Sequence, residues 1–100
     1  MPADERIKIT FRRVYVYKDA DWFGSGEFYF VATVDGKPVG DKKKIFDAVE
    51  KTWITLPEAE WSAVVDVSAK ASVVVTFRGY DEDVFFDDDL GGFTHTLKPP

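Results

Sequence analysis

A chain of 100 residues with 45% hydrophobic and 16% aromatic side chains can bury one core without a disulfide or structural metal, and is too apolar to be disordered. The absence of cysteine excludes thiolate zinc sites, disulfide frameworks and cysteine nucleophiles. A formal charge of −5 disfavours nucleic acid as a partner, since binding phosphate backbones needs a clustered Lys/Arg face.

The opening Met1-Pro2-Ala3-Asp4-Glu5-Arg6 is charged and leads into no apolar run, so no secretory leader is expected. No stretch approaches the length of a membrane-spanning helix, and a cytoplasmic location is the default expectation. Ile7 to Phe11 alternates with period two, as a half-buried strand does. Across Arg12-Arg13 the apolar register moves to Val14 and Val16, which predicts a bulge in one long strand. Residues 19–26 read as a loop, with Gly24, Ser25 and Gly26 supplying turn chemistry. Glu27 to Val34 reads as a strand closed by Asp35-Gly36, a strong hairpin signal. Lys42-Lys43-Lys44 reads as a solvated strand edge blunted by lysine.

Short strands are expected over 43–46 and 52–56, and a helical turn or loop over Pro57 to Trp61. Residues 61–67 and 72–77 are rich in β-branched side chains and alternate again. Gly91-Gly92 then releases the chain into a last strand over 93–97. Seven to eight short strands without a sustained helical period predict an all-β fold, a single antiparallel Greek-key β-sandwich over residues 1–100.

Two acidic stretches carry the chemistry. Asp81-Glu82-Asp83-Val84-Phe85-Phe86-Asp87-Asp88-Asp89 holds six acids around an apolar tip, leaving thirteen basic against twelve acidic side chains elsewhere. Carboxylates packed this closely oppose one another's ionisation, and a bound cation relieves that cost. The divalent ion that takes six to eight oxygens in a flexible shell is calcium. The other stretch is Asp19 to Tyr29. It is not an EF-hand loop: counted from Asp19, Gly24 falls at position 6, but Phe23 stands at position 5 and Phe30 at position 12.

The spacing Asp21, Glu27, Tyr29, together with Asp81, Asp83, Asp88, Asp89, Leu90, Gly91, resembles the calcium-binding loops of the C2-domain family, a calcium- and phospholipid-binding β-sandwich. Glu27 stands where that family usually has Asp, and Phe28 where it usually has Pro. The resemblance covers two loops, about twenty residues, and implies a C2-like sandwich that binds Ca2+. The implied ligands are Asp21, Glu27, Asp81, Asp83 and either Asp88 or Asp89. Asp19 and Asp87 are peripheral candidates, and backbone carbonyls such as those of Trp22 or Glu82 complete the shell.

The apolar tips Trp22-Phe23 and Val84-Phe85-Phe86 lie inside these loops. Each large apolar side chain held in water forgoes ~1.5–3 kcal/mol of burial. A paired apolar tip marks an interaction site. In the C2-like picture, calcium cancels the surrounding charge and the tips engage a phospholipid membrane or a protein partner. The remaining residues argue against an enzyme. His95 is the only histidine and shares a face with Phe93 and Leu97, which suits a satisfied sheet histidine better than a catalytic base. No Gly-x-Ser-x-Gly, dinucleotide fingerprint or phosphate loop is present. Two alternatives stand beside the calcium reading. One is a calcium-dependent carbohydrate-binding module using Trp22, Tyr29 or Tyr80. The other is a metal-free structural or adhesion protein that binds through its sheet edges or tips.

Overall fold

The computed structural model describes residues 5–17, 26–49, 51–68, 71–82 and 88–98. Among them are nine strands and no helix: β1 (Arg6–Thr10), β2 (Arg13–Val16), β3 (Gly26–Val34), β4 (Lys37–Val39), β5 (Phe46–Ala48), β6 (Thr52–Thr55), β7 (Ser62–Asp66), β8 (Val73–Asp81) and β9 (Asp88–Leu97). All the pairings are antiparallel. The larger sheet runs β4–β3–β8–β9, with β5 pairing the start of β3 and β4 its end.

The other layer consists of two ribbons, β1–β7 and β2–β6. The interruption expected at Arg12-Arg13 falls at Phe11-Arg12. There Phe11 donates its N–H to the Trp61 carbonyl at 2.8 Å, and the Arg12 carbonyl accepts the Leu56 N–H at 2.8 Å. These two bonds carry one ribbon into the next, so β1 and β2 behave as one strand kinked in the middle.

Alternation decides which face is buried. On β3 the residues Phe28, Phe30, Ala32 and Val34 are 2–3% exposed. They join Val73 and Val75 from β8 in one core with Phe11, Val16, Ile54, Leu56, Trp61 and Val67. Phe77 links the layers as it stacks on Phe11 at 5.4 Å and on Phe30 at 5.3 Å. Trp61 is fully buried; at this size its burial alone contributes several kcal/mol. It is delivered by a single helical turn, in which the Trp61 and Glu60 N–H groups both reach the Pro57 carbonyl.

Two strand boundaries differ from expectation. The lysine run is an exposed turn, closed by the Asp41 carboxylate on the Lys43 N–H at 2.8 Å, and the strand follows it at Phe46–Ala48 rather than over 43–46. β4 was given no bounds from the sequence, although the hairpin signal at Asp35-Gly36 implied a second arm. It completes the hairpin turned by Asp35 and Gly36, whose φ values of 49° and 78° are the two left-handed conformations of a type I′ turn. With β4 added and the long first strand counted in two parts, seven to eight strands become nine.

Candidate functional site

The two acidic stretches are anchored at one end of the larger sheet. β3 begins where β8 ends, with Phe28 opposite Asp81. One residue further out, the Glu82 N–H donates to the Glu27 carbonyl at 2.7 Å. The second stretch is less of a loop than expected. β8 runs on to Asp81 and β9 starts at Asp88, with Asp81 opposite Asp88 and Tyr80 opposite Asp89. Backbone pairing overrides the low strand propensity of aspartate here. A register shift near Gly79/Tyr80 leaves Leu90 as the extra residue of a bulge.

The parity of the strands then sorts the carboxylates. Asp81 continues the core-facing series Val73, Val75, Phe77, Gly79 and is 4% exposed. Glu27 alternates with the buried Phe28 and faces solvent on the other side of the sheet. These two candidate ligands are therefore neighbours in the sheet but lie on opposite faces. Glu27 instead stands in a lateral row of acids, with Asp47 opposite it on β5 and Glu82 beside it on the β8 side. Like charges placed directly across a strand pair are destabilising. Among the described residues, no group of three or more His, Cys, Asp or Glu side chains could hold a metal ion.

Asp89 is already committed. Arg78 Nε reaches its two oxygens at 3.0 and 2.8 Å, and Nη2 reaches Oδ2 at 2.7 Å. The Gly91 N–H donates to Oδ1 at 2.8 Å. The hydrogen bond from Arg78, then that from Gly91, hold the Asp89 carboxyl below the usual carboxylate range, and the same contact raises Arg78. A cation at Asp89 would have to displace the guanidinium. Asp88 opens β9 opposite Asp81. The expected ligands Asp21 and Asp83, the peripheral candidates Asp19 and Asp87, and the tips Trp22, Phe23, Val84, Phe85 and Phe86 lie outside the described residues.

A second feature was not anticipated from the sequence. Arg13, Tyr15 and Tyr17 project from one face of β2 and its extension, and Trp53 stands opposite Tyr15 on β6. Arg13 lies 4.2 Å over the Trp53 ring, Tyr15 meets Trp53 edge-on at 4.9 Å, and Tyr17 meets Tyr15 edge-on at 4.7 Å. Tyr17 is 81% exposed and Trp53 53%. The signal was present in Arg13-Val14-Tyr15-Val16-Tyr17, where valine takes the inward parity and the aromatics the outward one. Beside this ladder, a cleft of about 620 Å³ opens between β2 and β9 over Phe28, Phe30 and Phe77.

Tyr29 and Tyr80, candidates for a sugar platform, stack on each other at 5.0 Å, so one face of each ring is covered. His95 shares its face with Phe93 and Leu97 and stands opposite Val75, but it is exposed because β9 is an outer strand. Among the described residues no helix is long and apolar enough to cross a membrane. No family model matches the chain, and neither a curated protein nor a solved structure matches it significantly. The C2-like reading thus rests on the loop residues alone.

Proposed function

We propose that the protein is a non-catalytic binding module that takes up calcium at the acidic end of its larger sheet. The observation that carries this reading is the shared anchorage of the two acidic stretches, tied where Glu82 bonds Glu27, with the buried Asp81 at the junction. Carboxylates gathered at this end oppose one another's ionisation, and a divalent cation relieves that cost. Asp81 and Asp88, paired across β8 and β9, are the proposed ligands among the described residues, and Asp21 and Asp83 complete the set. Calcium neutralises this end and lets the apolar tips at Trp22-Phe23 and Val84-Phe86 engage a membrane or a protein, in the manner of a C2 domain.

Thermal melts in chelator, calcium and magnesium test it. Binding to the native state at a hundredfold excess over Kd adds about 2.7 kcal/mol, which raises the midpoint by roughly 10 °C or more in a domain this size. Equal midpoints in chelator and millimolar calcium would dismiss the reading. A second reading is favoured by the Arg13/Tyr15/Tyr17/Trp53 ladder: a metal-free contact module, since exposed Tyr, Trp and Arg are the residues that dominate binding energy at interfaces. Partner binding that survives chelator and is lost in Trp53→Ala would select it.

A further inference from the structure

We infer that the free edge of β9 is a self-association edge, onto which the β9 of a second copy of this chain adds antiparallel. Among the described residues β9 pairs with β8 alone, so alternate N–H and C=O groups along its ten residues face outward. Natural outer strands are protected by lysine, proline, charge or shortness. Phe93-Thr94-His95-Thr96-Leu97 contains no lysine, arginine, carboxylate or proline, and it pairs regularly with Leu97, Thr96, His95, Thr94 and Phe93 opposite Val73 to Phe77. Its core-parity residue Phe93 is 53% exposed although it stacks on Phe77 at 5.9 Å, and an added strand would continue that face.

The strand suits itself. Residues directly opposite in a sheet share a face, so a two-fold axis through His95 sets Phe93 against Leu97 and Thr94 against Thr96, with the two imidazoles facing each other. Charge selects the same direction. The acids Asp88 and Asp89 lie at one end of β9 and Lys98 at the other. Parallel addition would place acid against acid. Antiparallel addition sends the two acidic ends apart and sets each Lys98 opposite Gly92 of the second copy, three residues from its Asp89. Pairing through main-chain bonds, with side chains fixing register, is a recurrent mode of strand addition.

The chain has no cysteine, so one introduced thiol reports the register. In the two-fold pair the Cα atoms at position 95 would lie about 4.5–5.5 Å apart, within disulfide reach. Those at position 97 would lie about 13 Å apart along the strands. Sedimentation equilibrium of the wild-type chain should show a reversible dimer. His95→Lys, which sets two ammonium groups face to face at an exposed position, should weaken it severalfold without moving the far-UV spectrum. Under mild oxidation His95→Cys should form a disulfide dimer much faster than Leu97→Cys. A wild-type chain that stays monomeric up to about 1 mM would overturn the inference. So would equal cross-linking at positions 95 and 97.

Discussion

The close approach of Gly40 to the buried Trp61 predicts a specific pattern of stability. Gly40 has a φ of 79°, and a Cβ built on it would lie 2.6 Å from Trp61 Cε2 and closer still to Cδ2 and Cε3. The Gly40→Ala substitution therefore meets two costs. The left-handed backbone costs ~1–2 kcal/mol for a residue with a Cβ. Overpacking against a fully buried indole costs a further ~1–3 kcal/mol. Gly36 isolates the first cost, because it has nearly the same φ, 78°, and nothing within 4 Å of its Cβ position.

Gly36→Ala should cost about 1–2 kcal/mol. Gly40→Ala should cost about 2–5 kcal/mol, a drop in midpoint of roughly 8–40 °C. Urea unfolding followed by far-UV circular dichroism measures both. Trp61→Phe in the Gly40→Ala background should recover part of the loss, since it trims the ring that the new methyl meets. It also removes an indole N–H that has no hydrogen-bond partner among the described residues. Equal costs at Gly36 and Gly40, or strict additivity of Gly40→Ala with Trp61→Phe, would show that the indole does not oppose the new methyl.

Three further outcomes follow from the surface. Because Arg78 and Gly91 lower the Asp89 pKa in the folded state, this carboxylate contributes stability at pH values above its unfolded pKa, near 3.8, and the contribution is lost as pH falls through the lower folded value. Arg78→Gln should move the Asp89 carboxyl titration, followed by NMR, back toward the ordinary range; an unmoved titration would show that Arg78 is not the cause. Arg13→Gln should lower stability by about 0.5–1 kcal/mol through loss of the contact over Trp53, and should shift the indole fluorescence. Asp47→Lys turns the like-charge pair with Glu27 into an opposite-charge one and should raise stability by about 0.5–1 kcal/mol, an effect that added salt should shrink.

Period-two alternation made the buried faces of β3 and β8 readable from the sequence, and the same signal at Arg12-Arg13 located the kink between β1 and β2. Asp35-Gly36 announced its hairpin because only a few residues accept two left-handed conformations in succession. β4 was hidden because three residues containing Pro38 carry no pattern of their own and are held by pairing with Ala32–Val34. The extension of β8 and β9 into the acidic stretch was hidden for a related reason. Aspartate and glycine argue against strand locally, while the long β8 offers partners that the local sequence does not reveal.

The clustering of acids near one end was legible, but the face each one takes was not. Glu27 and Asp81 lie in adjacent strands, and which face each occupies depends on the register Phe28–Asp81, a long-range fact. The engagement of Asp89 with Arg78 has the same origin, since eleven residues and a bulge separate them. The exposure of His95 follows from β9 being an outer strand, which alternation alone does not disclose.

The calcium reading is tested most directly by titrating the ion into 15N-labelled protein and following the amide resonances. Calcium binding at this end should give saturable shifts, selective for calcium over magnesium and centred on Glu27, Asp81, Glu82 and Asp88. They should be absent in the Asp81→Asn/Asp83→Asn variant, whose β-sheet spectrum should otherwise be preserved. Spectra unchanged by millimolar calcium, or the same shifts in the double variant, would contradict it.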